Sequence, residues 1–158
     1  MVDIIHRIGI KASPTEVYAA LSTVDGVAGW WTRETTGESA VGGVITVRFL
    51  DRGADRQGPV TEKGRMDLEV IRLDPGKEVR WRVTAGPPEW IGTDVTFSLS
   101  QADGQTVVVF GHRNWREAVE FTAHCSMKWA TFLLSLKGLV ETGTGRPSPG
   151  DLKIDDWN

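Results

Sequence analysis

Two short stretches of the sequence carry side-chain types that take part in catalysis. His124 and Cys125 are neighbours, and a thiol nucleophile with its base is built from this pair of residue types. His112 is followed by Arg113 and Asn114, and a histidine beside a polar partner can act as a general base or proton shuttle. Both stretches are therefore candidate catalytic sites.

Neither stretch predicts a catalytic residue. Successive residues of a helix diverge by about 100°, so Cys125 and His124 do not share a face, and no third orienting group is visible. If Val107 and Val109 face the core, then His112 points outward, although the opposite strand register is equally open. The 3 histidines are far apart in sequence and no Cys-x-x-Cys or His-Glu-x-x-His pattern occurs, so we expect neither a metal nor another cofactor.

Composition limits the classes to which the chain can belong. Its 158 residues, 40% hydrophobic and 25% charged, fit a single globular domain. The net charge of −3 includes no basic block, so nucleic acid is not an expected partner. No apolar run approaches the roughly 20 residues that cross a membrane. A single cysteine excludes an intrachain disulfide, and without a signal-peptide pattern we expect a cytoplasmic location.

The hydrophobic pattern predicts strands with two short helices after the first. The first helix is expected over residues 14–22, with Ser13 as N-cap and Glu16 completing a capping box, and the second over residues 24–29. Residues 74–77 and 102–105 have the composition of tight turns. Strands are expected at Ile4–Ile10, Val44–Leu50, Arg65–Leu73, Glu78–Ala85, Thr93–Ala102 and Thr106–His112.

A long helix is expected from about Trp115 to Glu141, where glycines at 143 and 145 end it. Its apolar stripe is graded along the chain. The first half carries the small residues Ala118, Thr122, Cys125 and Ser126, whereas the second half carries Trp129, Phe132, Leu133, Leu136 and Leu139. Small residues facing a sheet leave volume, which predicts a cavity unless a loop side chain such as Trp90 or Trp30 fills it.

The predicted cavity lies between the first half of the long helix and the apolar face of the sheet. One ring of the Trp30-Trp31 pair should fill the core, and the other should border the entrance. Arg72, Arg80 and Arg82 alternate with apolar residues, which indicates a solvated sheet face paired with Asp67 and Glu69, or else an anion site. The expected lining is Trp30, Trp31, Met66, Leu68, Trp81, Val83, Phe97, Thr122, Cys125, Ser126 and Trp129.

Three motifs together resemble a known family. They are Ser13-Pro14-Thr15-Glu16-Val17-Tyr18-Ala19-Ala20-Leu21, Trp30-Trp31-Thr32 and Gly42-Gly43 before a strand. This set is similar to the SRPBCC (START-like) superfamily, in the branch that resembles the activator of heat-shock protein 90 ATPase. The resemblance implies an α+β helix-grip fold, in which a curved antiparallel sheet wraps around a long C-terminal helix. We expect one such domain over residues 1–145 and an extended tail over residues 146–158.

The resemblance also implies a function. Proteins of this superfamily hold an apolar or amphipathic small molecule between the sheet and the long helix, and this branch implies no shared catalytic set. A small-molecule-binding protein is therefore the first expectation, with a second copy of the chain as a further candidate partner. Two alternatives remain open: an enzyme similar to polyketide cyclases or dehydratases that uses the same pocket, and a chaperone-linked interaction module.

Overall fold

In the part of the chain that the structure describes, the alternating segments pair into one curved antiparallel sheet of 7 strands. The strands are β1 (Val2–Ile10), β2 (Glu34–Gly37), β3 (Val44–Asp51), β4 (Thr61–Asp74), β5 (Glu78–Ala85), β6 (Asp94–Ala102) and β7 (Gln105–Trp115). Their order across the sheet is β1-β7-β6-β5-β4-β3-β2. The structure is a computed structural model, and it describes residues 1–51 and 59–158. The α+β helix-grip fold expected from the sequence is confirmed.

Side-chain alternation gives the sheet one buried face and one solvated face. On β4, Met66, Leu68 and Val70 are buried, whereas the intervening Asp67 and Glu69 are partly exposed. The two predicted tight turns are present between β4 and β5 and between β6 and β7. The second turn has two central residues with positive φ, at 52° and 76°, which is the backbone of a type I′ hairpin.

Two short helices close one end of the buried face. They are α1 (Pro14–Ser22) and α2 (Val24–Trp30), so α2 extends one residue beyond the predicted end. The backbone N–H of Glu16 donates to the Ser13 hydroxyl at 3.2 Å, which is the N-cap bond expected from the sequence. Thr23 is both the C-cap of α1 and the N-cap of α2. The chain therefore reverses between the helices within a single residue.

The long helix α3 (Glu120–Thr142) crosses the buried face and starts five residues later than expected. Trp115 belongs instead to β7, where it pairs with Val2. Val119 has an extended backbone before the helix, so its four-residue spacing from Trp115 imitates a helical repeat without forming one. Gly143 ends α3 with a φ of 84°, and its N–H donates to Leu139 O, as the predicted glycine stop requires.

The sequence pattern did not predict β2, and for residues 146–158 it predicted only an extended tail. The four residues of β2 form one edge of the sheet beside β3. Residues 146–158 contain no helix or strand, but they pack back on the domain. Ser148 N–H donates to Trp31 O at 2.9 Å, and Arg33 N–H donates to Ser148 O at 3.1 Å. None of the described helices is long and apolar enough to cross a membrane.

Candidate ligand-binding cleft

A cleft of about 930 Å³ opens beside the first half of α3. The helix contributes one wall, and β3 and β4 contribute the opposite wall with Phe49, Gly64 and Met66. The segment after α2 closes one end, and the C-terminal tail forms part of the rim. The α3 residues that line the cleft are Phe121, His124, Cys125, Lys128, Trp129 and Phe132.

Tryptophan rings form the floor of the cleft. Trp31 packs against Trp129 at a centroid distance of 4.9 Å, and Trp90 stacks on Trp129 at 5.9 Å. Trp31 also lies parallel to Trp81, at 6.0 Å and an angle of 2°. All four rings are at least 95% buried, since their exposed fractions range from 0% to 5%. Trp31, Trp90 and Trp129 line the cleft, and Trp81 packs against Trp31 outside the lining. Close packing on several sides fixes these rings, which makes the floor apolar and preformed.

A buried ion pair joins α3 to the tail at the rim of the cleft. Lys128 Nζ lies 2.5 Å from Asp151 Oδ2 and 2.8 Å from Leu152 O. Lys153 Nζ binds the other Asp151 oxygen at 2.8 Å. Burial lowers the pKa of Lys128, and the Asp151 carboxylate offsets only part of that effect. Burial also favours the neutral form of Asp151, but bonds from the two lysines outweigh it and lower its pKa.

A second contact holds the end of the tail. His124 Nδ1 lies 2.6 Å from Asp155 Oδ2, and this bond lowers the pKa of the Asp155 carboxyl. The His124 ring stacks on Phe121 at 6.0 Å, and Trp157 packs edge-on against both rings. The tail therefore forms a wall of the cleft. It is attached by the Lys128–Asp151 ion pair, by this small aromatic cluster and by the backbone hydrogen bonds of Ser148.

His112 lies under the cleft floor in a directional chain of hydrogen bonds. The Trp129 indole N–H donates to His112 Nδ1 at 3.1 Å, and Nε2 lies 2.8 Å from Thr93 Oγ1. Because an indole nitrogen only donates, the ring proton must sit on Nε2 and point at Thr93. The Thr93 hydroxyl then donates to Trp90 O at 2.6 Å. Both imidazole nitrogens are thus occupied.

Burial lowers the pKa of His112 to about 3, so the ring is neutral near pH 7. The His112 side chain is 0% exposed, so it points inward. Of the two strand registers left open by the sequence, the structure has the one in which His112 faces the core. Phe110 and Val108 share that buried side, and Val107 is nearly buried as well, so burial of Val107 does not force His112 outward. Neither nitrogen of the His112 ring is therefore free to accept a proton from a substrate.

Cys125 faces the cleft as a thiol. Burial raises its pKa to about 12, against a smaller opposing effect of the Trp90 indole. A thiol with so high a pKa is a poor nucleophile near neutral pH. Within residues 1–51 and 59–158, no group of three or more His, Cys, Asp or Glu side chains is placed to hold a metal ion.

A family model covers most of this fold. The model described as "Activator of Hsp90 ATPase homolog 1-like protein" matches residues 11–141. The chain belongs to this Activator of Hsp90 ATPase homolog 1-like family. The resemblance drawn from the three sequence motifs is thereby confirmed. A search of curated proteins found no match.

Solved structures agree with the membership in the Activator of Hsp90 ATPase homolog 1-like family. The Aha1 dimer from Colwellia psychrerythraea is similar at 46% identity, with a TM-score of 0.75 over 92% of this chain and 100% of that one. CV1439 from Chromobacterium violaceum is 21% identical, with a TM-score of 0.68 over 89% and 99% of the two chains. CalU16 from Micromonospora echinospora is 17% identical, with a TM-score of 0.65 over 89% and 76%. The last two show the fold alone.

In this family member, some of the expected lining residues border the cleft and others lie elsewhere. Those on its surface are Trp31, Met66, Cys125 and Trp129. Those outside its lining are Trp30, Leu68, Trp81, Val83, Phe97, Thr122 and Ser126. Trp30 fills the core between the short helices, where its indole N–H donates to Ala20 O at 3.0 Å. Trp31, which is 1% exposed, lies in the floor of the cleft rather than at its entrance.

The apolar stripe of α3 predicted a cavity on the side of the helix that carries Thr122 and Ser126. The cleft instead lies on the side of α3 that faces β3, β4 and the tail. Ser126 faces β1, where its carbonyl and hydroxyl oxygens lie 3.0 and 3.2 Å from His6 Nε2. Trp90, which the sequence offered as a filler, packs against Trp129 beneath the helix. The central space is therefore filled, and the open volume lies on the flank toward β3, β4 and the tail.

Lys128 and Asp151 are the site residues that the sequence reasoning missed. One signal was present, because Lys128 stands three residues after Cys125 and four before Phe132, on the stripe itself. A lysine among apolar stripe positions needs a buried anion, and the acidic tail supplies one.

The arginines of the solvated sheet face are paired, but not with the acids that the sequence suggested. Arg80 and Arg82 both bind Asp94, at 2.9 and 2.8 Å, and Arg72 binds Glu78 at 3.2 Å. Asp94 is 2% exposed, and bonds from Arg82 and Arg80 outweigh its burial and lower its pKa.

Proposed function

We propose that this protein binds a small apolar or amphipathic molecule in the cleft beside α3. The observation that carries the proposal is the preformed tryptophan floor in an open cleft of about 930 Å³. Ligand sites are typically concave and combine apolar surface with placed polar groups. The cleft combines the apolar floor with charged side chains such as those of Arg33, Lys63 and Lys128. The engaged His112 and the high pKa of the Cys125 thiol favour binding over a cyclase-like reaction.

Gly64 offers a way to test the cleft directly. It lines the cleft on β4, and a Cβ added there would meet only Phe49 Cδ2, at 3.9 Å. Gly64→Phe should therefore fill the cleft without disturbing the backbone. Thr84→Phe adds the same ring at an exposed position of β5 outside the cleft and serves as the matched control.

The neutral fluorescent probe N-phenyl-1-naphthylamine should bind the parent protein and gain emission in the cleft. We expect Gly64→Phe to weaken this binding at least tenfold and Thr84→Phe to leave it unchanged. Equal binding to the parent and Gly64→Phe, or no binding to the parent, would reject the cleft as the ligand site.

A second candidate function is stimulation of an Hsp90 ATPase. It is favoured by the match to the family model and by the relative of 46% identity that is named Aha1. The test is the ATP turnover of a purified Hsp90 chaperone with and without this protein. An unchanged turnover at saturating protein would remove this candidate. Gly64→Phe should leave the stimulation intact if the two functions use different surfaces.

We also propose that the chain forms a homodimer. The 46% identical relative is described as a dimer, and α3 exposes two large apolar side chains on its outer face. Met127 is 57% and Leu134 is 61% exposed, and their seven-residue separation places them on one face. Light scattering should give twice the monomer mass, and Met127→Lys with Leu134→Lys should give the monomer. A monomeric parent would contradict the proposal.

A further inference from the structure

The Lys128 ammonium has one more donor than its neighbours can use. A lysine ammonium carries three N–H donors. One points to Asp151 and one to Leu152 O, and within the described residues no third acceptor lies in hydrogen-bond range. The ammonium lies 5.0 Å from the centroid of the Phe132 ring, and both side chains line the cleft. The ammonium therefore has one donor left over beside the Phe132 ring, on a side chain that lines the cleft.

Basic side chains dominate the charged part of the cleft lining. Arg33, Lys63, Lys128 and Lys153 contribute positive charge, whereas Glu34 and Asp51 contribute negative charge. Asp51 lies 3.6 Å from Lys63, and Asp151, which neutralises part of the lysine charge, does not line the cleft. Asp155 also stays outside the lining, engaged with His124. Among the residues that the structure describes, a ligand in the cleft therefore faces more positive than negative groups.

We propose that Lys128, supported by Lys153, anchors the anionic head group of an amphipathic ligand whose apolar body lies on the tryptophan floor. The inference rests on the proposed function and names the chemical class of its ligand, an apolar carboxylate, sulfonate or phosphate ester. A hydrogen bond between two charged groups is stronger than a neutral one, and it is strengthened further where water is excluded. The head group would complete the third bond of the ammonium while its apolar body covers the floor.

Two probes that share one apolar body separate this inference from the proposed function. They are N-phenyl-1-naphthylamine, which is neutral, and 8-anilinonaphthalene-1-sulfonate, which adds a sulfonate to the same rings. Binding of each is measured by fluorescence titration to the parent and to Lys128→Met. Lys137→Met is the matched control, because Lys137 lies on the same helix in an ion pair with Glu141 but outside the cleft.

Lys128→Met should weaken sulfonate binding by roughly tenfold, the value of one charge-assisted hydrogen bond, and leave neutral binding within about twofold. Lys137→Met should change neither probe. Unchanged sulfonate binding to Lys128→Met would overturn the inference while leaving the proposed function intact. Failure of the neutral probe to bind the parent would instead overturn the proposed function.

A second variant covers the case in which Lys128→Met displaces the tail and abolishes both bindings. Lys128→Met with Asp151→Leu removes the buried pair together, so neither partner is left as an unpaired charge. Neutral binding retained with sulfonate binding lost supports the inference. Retention of both bindings, or loss of both, overturns it, because the ammonium would then either not contact the anion or serve only to hold the cleft together.

Discussion

Replacing Thr93 with valine tests the hydrogen-bond chain beneath the cleft floor. The exchange keeps the shape of the side chain but removes the hydroxyl that accepts the His112 Nε2–H. Trp90 O keeps a partner, because the backbone N–H of residue 93 still donates to it at 3.0 Å. A change of tautomer would not restore a partner for the imidazole N–H. A proton on Nδ1 would face the indole N–H of Trp129, which is itself a donor.

Thr93→Val should therefore leave one buried donor unsatisfied, which costs about 1–3 kcal/mol of unfolding free energy. For a chain of this size that is a fall in Tm of roughly 2–12 °C. Thr93→Ser is the matched control, because it keeps the hydroxyl and loses only a methyl group. Urea denaturation of the three proteins gives the comparison.

The tautomer can be read independently from the ¹⁵N chemical shifts of the His112 ring. We expect a protonated Nε2 and an unprotonated Nδ1 from pH 5 to 8. If Thr93→Val is as stable as the parent, or if the proton is found on Nδ1, then the hydrogen bonds from Trp129 to His112 and from His112 to Thr93 do not run in these directions.

Three further predictions concern the core, the thiol and pH. Leu133→Ala, at a 2% exposed position of α3, should cost about 2–5 kcal/mol in urea denaturation; no change would mean that this face of the helix does not carry the core. Cys125→Ser should leave the fold and neutral-probe binding nearly intact, and loss of a measured turnover would indicate an enzyme instead. The pKa of His112 falls from 6.5 to about 3 on folding. Between these pH values the unfolded chain therefore binds a proton that the native protein does not bind. Stability should therefore fall by about 1.4 kcal/mol per pH unit between pH 6.5 and about 3, the native pKa, as denaturation at graded pH can check against His112→Gln. Asp94 and Asp151, whose native pKa values are lowered, contribute their own loss of stability only as the pH falls through their unfolded value of 3.8.

Local patterns predicted most of the secondary structure because each element carries its own signal. The bounds of β5 agree with the pattern, and Ser13 and Gly143 mark the ends of α1 and α3. The start of α3 was predicted too early because Trp115 and Val119 have helical spacing by coincidence. The pairing of Trp115 with Val2, which is distant in sequence, extends β7 over that segment.

The position of the cleft depends on packing that no local pattern contains. Small residues at 122 and 126 suggested free volume between the first half of α3 and the apolar face of the sheet. In the structure, Ser126 faces His6, and Trp90, from a loop, packs beneath α3. The cleft instead opens where the tail meets α3, and that contact joins residues 23 positions apart in sequence. The apolar stripe therefore predicts which helix lines the cleft but not which side of it.

The buried Lys128–Asp151 pair is not explained by stability alone. Taking two charges out of water costs several kcal/mol per ion, and apolar residues of similar volume often stabilise a protein equally well or better. An apolar pair could hold the tail to α3, but it would leave the cleft rim without a fixed cation. The ion pair places an ammonium beside the Phe132 ring and keeps it there through Leu152 O, at 2.8 Å. A fixed cation at the rim of an apolar cleft is what recognition of an amphipathic anion requires. If Lys128→Met with Asp151→Leu proves as stable as the parent yet loses sulfonate binding, the pair contributes to recognition rather than to folding.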